Sequence, residues 1–144
     1  MKITKKQIKD LNPCAEGYKW YLKNGSEDLL ETLLKVNETN PGWARWLYSR
    51  LMALAQKRAF AIHAAEQVLP IFETKYPKDK RPRKAIEAAK AVLVDDTSTS
   101  RRAAADAASA ASAAAYAASA ASAGEKMRIT LIHKAIEILE RSET

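Results

Sequence analysis

The stretch RAAADAASAASAAAYAASAASAG, residues 102–124, restricts what this chain can fold into more than any other feature. Alanine has the best helix propensity and loses no side-chain entropy on ordering, so the run predicts a helix over about 101–123. Its other residues, Asp106, Ser109, Ser112, Tyr116, Ser119 and Ser122, follow at steps of three or four and fall on one slowly drifting stripe. The rest of its surface is methyl groups, those of Ala111 and Ala114 among them. Methyls bury little area but let a neighbouring backbone approach to about 8 Å or less. The segment is expected to be a thin packed spacer that ends at Gly124.

Helix signals dominate the remaining chain. Thr4 and Gln7 form a capping-box pattern, with Ile3 and Ile8 placed as its hydrophobic staple, ahead of a short helix over about 5–11. Asn12-Pro13 reads as N-cap and first turn of a second helix, ended by Asn24-Gly25. Ser26 is expected to cap a third, carrying Leu29, Leu30, Leu33, Leu34 and Val36. Asn40-Pro41 repeats the cap-and-proline device before Trp43, Trp46, Leu47, Leu51 and Leu54. A break between Met52 and Lys57 then precedes a helix over about 57–75. That helix is apolar on most sides and is expected to sit centrally, kinked at Pro70 and stopped by Tyr76-Pro77. A loop, PKDKRPRK, leads into a helix at Pro82 that buries Ile86, Ala89, Val92 and Leu93. After a polar linker and the alanine run, a last helix aligns Ile129, Ile132, Ile136 and Leu139. No strand pattern survives. The fold class is all-α: a single-domain bundle of about seven or eight helices, with the alanine helix near its C-terminal end.

Chemistry-bearing motifs are scarce. Four separate glycines build no phosphate loop. His63 and His133 lie on different predicted helices without the spacing of a metal pair. Cys14 is the one cysteine, which rules out an intrachain disulfide and fits a reducing compartment. A thiol beside a helix start is activated by the local dipole, but its ordinary role is small packing. Glu66, Glu73 and Glu87 form no catalytic pair legible in the sequence. No signal peptide or membrane span is apparent. These readings point to a cytoplasmic protein that is not an enzyme and needs no cofactor, metal or membrane.

Charge is the positive signal. Lys plus Arg is 24 against 17 acidic residues, a net charge of +7, which favours acidic partners. The cations concentrate at Lys75, Lys78, Lys80, Arg81, Arg83, Lys84 and Lys90. Arg81 and Arg83 flank Pro82 at a helix start, where guanidinium forks and backbone N–H groups can jointly hold a phosphate or carboxylate. Arg101 and Arg102 open the alanine helix at the electrostatically unfavourable end for cations, so they serve an anion or pair with Asp95 and Asp96. The candidate binding residues are therefore Lys78, Lys80, Arg81, Arg83, Lys84, Arg101 and Arg102. The competing reading is architectural: Arg81 or Arg83 reaches Glu66 and locks the central helix to the loop. The aromatic residues Tyr18, Trp20, Tyr21, Trp43, Trp46 and Tyr48 are spaced as helix-packing residues.

The stretch AAEQVLPIFETKYPKDKRPRKAIEAAKAVL, residues 64–93, resembles the core of the alanine-rich Imm-5-like immunity proteins of bacteria and phages. Glu66, Pro70, Glu73, Pro77, Asp79, Arg81, Pro82, Arg83 and Ala88 carry the resemblance, with Glu66, Pro70, Asp79 and Pro82 as its structural motif. The resemblance implies a small helical protein that neutralises another molecule without catalysis. The function expected is a phage- or mobile-element-encoded inhibitor that blocks or sequesters a toxin or defence component, its partner a protein. The alternative is a phosphate-ligand binder that takes nucleic acid or a nucleotide second messenger through residues 75–90.

Overall fold

A computed structural model describes residues 1–95, 97, 102 and 124–141. Among these the chain is all-α, with seven helices and no strand: α1 (Lys5–Asp10), α2 (Ala15–Asn24), α3 (Leu29–Thr39), α4 (Pro41–Leu51), α5 (Leu54–Lys75), α6 (Arg81–Val94) and α7 (Gly124–Glu140). The alanine-rich segment, with Ala111, Ala114 and Arg101, lies outside the described residues; Arg102 is helical and exposed. Gly124, expected to stop the alanine helix, is itself helical and belongs to α7. The chain divides into two compact units, Met1–Ala53 with Arg128–Thr144, and Leu54–Met127.

In the first unit, α1 has only six residues and depends on its caps. The Thr4 hydroxyl accepts from the Gln7 N–H at 3.2 Å, and the Gln7 side-chain oxygen accepts from the Thr4 N–H at 2.8 Å. Ile3 and Ile8, the staple pair, are both buried. The sequence reading of Asn12-Pro13 as a helix start is corrected. Asn12 takes a left-handed conformation, φ 56°, and its N–H donates to the Lys9 carbonyl at 3.0 Å. This is one bond of the Schellman closure of α1; Pro13 has no N–H to supply the other. With Asn12 committed to ending α1, the cap of α2 falls to Cys14, whose sulfur accepts from the Gly17 N–H at 3.4 Å. Asn12→Ala is expected to cost about 1–2 kcal/mol through its left-handed φ, while Asn12→Gly leaves stability unchanged or raised; urea denaturation measures both.

The cap of α3 is likewise Asp28 rather than Ser26: its carboxylate accepts from the Glu31 N–H at 2.9 Å. Ser26 is held by Thr32, whose hydroxyl accepts from the Ser26 N–H and donates to the Ser26 carbonyl, both at 2.9 Å. A single bridge, Lys2 to Asp28, pairs the N-terminal residues with this turn. Asn40 caps α4 as expected, accepting from Gly42 and Trp43 N–H groups, with Pro41 in the first turn. α1 packs on α2, α2 on α3 and α3 on α4. Leu29 and Leu33 are fully buried, and α7 buries Ile132, Ala135, Ile136 and Leu139. Ile129, expected on that stripe, is 37% exposed, one turn before the buried run begins.

The second unit opens after Met52 and Ala53, where the predicted break falls. α5 begins at Leu54, earlier than expected, and keeps Pro70 inside it. Its all-round apolar surface does not make it deeply buried: Ile62 and Phe72 are its buried residues, and most others are half-buried. Much of that surface is alanine, and α6 is the described helix packed closely against it. α6 buries Pro82, Ala85, Ile86 and Val92; Ala89 is half-buried and Leu93 is 45% exposed, both short of the burial expected.

Candidate partner-binding site

The basic segment folds as a braced turn between α5 and α6. Pro77 pre-sets the backbone for a tight turn, closed by the Asp79 N–H donating to the Tyr76 carbonyl at 3.1 Å. Lys80 is the N-cap residue of α6 but supplies no side-chain cap. Asp79 does that work from one residue earlier, accepting from the Arg81 N–H at 3.1 Å. The same carboxylate takes the Arg81 fork, Nε at 2.9 Å and Nη2 at 2.6 Å. Pro82 is buried in the first turn of α6.

Arg83 closes the turn from the other side. Its Nε and Nη2 donate to the two carboxylate oxygens of Glu73 at 2.8 and 2.6 Å, a bidentate pair joining α6 to the end of α5. Neither arginine reaches Glu66, as the architectural reading of the sequence had it. Glu66 pairs instead with Lys90 Nζ at 2.5 Å. Glu66 lies two turns before Glu73, and Lys90 two turns after Arg83, as antiparallel neighbours require. Glu66 and Arg83 are too far apart along that ladder to meet.

The electrostatics follow from the pairs. The Arg81 side chain and backbone hold the Asp79 carboxyl down to about 2. Arg83 lowers Glu73 from its ordinary value, and Lys80 adds to that field. Because both values are depressed, the pairs support the turn above the ordinary carboxylate range. That support fades as pH falls through the ordinary range toward about 2. In an NMR pH titration, Asp79 is expected to titrate at about 2 in the native protein. In Arg81→Ala it returns toward its ordinary 3.8.

The exposed rim is lysine. Lys78, Lys80 and Lys84 are exposed and make no ion pair with the described residues, while Lys75 lies over the Tyr76 ring at 5.5 Å. Arg102 makes no hydrogen bond or ion pair with this turn among the described residues. No cluster of His, Cys, Asp and Glu among the described residues is arranged to hold a metal ion. No described helix is long and apolar enough to cross a membrane. The segment thus divides by chemistry: the exposed arginines are paired with the carboxylates of Asp79 and Glu73, and the rim lysines are unpaired with the described residues. Sequence spacing placed all of them on one turn but did not separate the two roles.

An all-α chain with a braced, lysine-rimmed helix hairpin is the class of protein these observations define. Residues 52–134 match the model of the family described as Imm-5 like putative immunity protein, and the chain belongs to that family. No curated protein and no solved structure matches it. The match opens at the break before α5, so it takes in the braced turn and leaves residues 1–51 outside.

Proposed function

We propose that the protein neutralises a protein partner by stoichiometric binding, without catalysis, and that the lysine rim at residues 78–84 meets an acidic face of that partner. One observation carries the reading. Within the family-matched region, Asp79 of the turn and Glu73 at the end of α5 hold Arg81 and Arg83, and Asp79 also accepts from the Arg81 N–H, so the turn is braced while Lys78, Lys80 and Lys84 are exposed. A pre-ordered turn loses little conformational freedom when a partner docks. Membership of an immunity-like family supports a protein as the target, a toxin or a defence component of a bacterial host. A phage or mobile-element origin and a cytoplasmic site of action belong to the same proposal.

The phosphate reading has less to stand on. A nucleotide or oligonucleotide would need the two guanidinium forks, and each is already bidentate on a carboxylate. The experiment that separates the two is a titration of the protein with a nucleotide and oligonucleotide panel and with the product of the adjacent gene, at low and high salt. The proposal expects a complex with the gene product and none with phosphates. Tight phosphate binding that falls steeply with salt and disappears in Arg81→Ala or Arg83→Ala would overturn it.

A further inference from the structure

All three tryptophans of the chain line one cavity of about 310 Å³ in the first unit. Trp20 comes from α2, and Trp43 and Trp46 stand three residues apart on α4. Ile8, Val36 and Leu47 add aliphatic wall. Among the described residues no charged side chain lines the space; Arg50 lies over the Trp46 ring at 6.0 Å but is not part of the lining. The hydroxyls there are already engaged, Thr32 with Ser26 and Tyr21 with the Ile3 carbonyl at 3.5 Å. The exposed thiol of Cys14 also borders the cavity.

The space is an open pocket, not a sealed void: the indoles of Trp20, Trp43 and Trp46 are half-buried and Cys14 at its border is exposed. Its volume is at the lower end of ligand pockets, roughly 300 Å³. We propose that this cavity is a binding site for a small, uncharged aromatic molecule. Indole faces favour a ring by offset or edge-to-face stacking. A charge on the ligand would enter apolar walls that offer it no counter-charge. The lining residues all precede Met52, outside the family match, so the site shares no residue with the partner-binding turn and does not depend on that reading.

The probe is 2-naphthamide, followed by calorimetry, with naphthalene-2-carboxylate as its charged counterpart of similar size. Saturable one-to-one binding of the amide is expected, roughly tenfold or more tighter than the carboxylate. Gly17 supplies a filling variant. A Cβ there meets Cys14 Sγ at 3.2 Å and the Trp43 ring at 3.8 Å, so the leucine of Gly17→Leu extends into the space. That variant is expected to lose amide binding while keeping its helical circular dichroism. In the unaltered protein, saturating amide is expected to slow reaction of Cys14 with a thiol reagent severalfold. Non-saturable binding, tighter binding of the carboxylate, unchanged binding by a folded Gly17→Leu, or an unprotected Cys14 would each overturn the proposal. If Gly17→Leu does not fold, the Cys14 protection and the amide-to-carboxylate ratio decide.

Discussion

Gly25→Val is expected to destabilise the protein by about 1–3 kcal/mol, measured as a fall in the urea midpoint. The cause is space, not backbone handedness. Gly25 has φ −71°, which any residue adopts. A Cβ on it would sit 2.7 Å from the Tyr21 carbonyl and overlap the Cδ2 and Cε2 edge of the Tyr21 ring. That carbonyl accepts the N–H closing α2 at 2.7 Å, and the ring is buried, so neither gives way cheaply. The contrast is Gly17→Ala, whose added methyl meets the movable Cys14 sulfur and is expected to cost far less.

Charge reversal at the lysine rim is expected to have the largest functional effect. The triple variant Lys78→Glu, Lys80→Glu and Lys84→Glu keeps both arginine pairs and should fold normally. Rim charges act mainly on encounter, so association with an acidic partner should slow by roughly tenfold or more at low salt. Added salt should shrink the difference between variant and native protein. Stopped-flow association with the partner, at two ionic strengths, reads both effects. An unchanged association rate would remove the rim from the interface.

Much of the fold was legible in the sequence wherever one residue had one role to play. Thr4 with Gln7, Asn40 with Pro41, and Tyr76-Pro77 sit where local chemistry puts them. The misread boundaries involve residues with two uses. Asparagine both caps helix starts and tolerates a left-handed backbone, and at Asn12 the end of α1 claims it. Ser26 is a sound cap by type, but Thr32, six residues on, holds its backbone N–H and carbonyl, leaving Asp28 to cap α3. The basic turn was legible as a cluster; which carboxylate each cation takes was not, because that depends on the register of α5 against α6. The tryptophan cavity was least legible. Trp43 and Trp46 at helical spacing announce a shared face, but a filled core and an open cavity share that pattern.

Stoichiometric neutralisation without turnover can be read by titrating the protein into a fixed amount of a candidate toxin that it is found to bind and measuring residual toxicity. A blocker gives a linear fall that reaches its floor at one equivalent and does not progress with incubation time. Complete loss of toxicity at a small fraction of an equivalent, deepening with time, would mean turnover and contradict stoichiometric neutralisation.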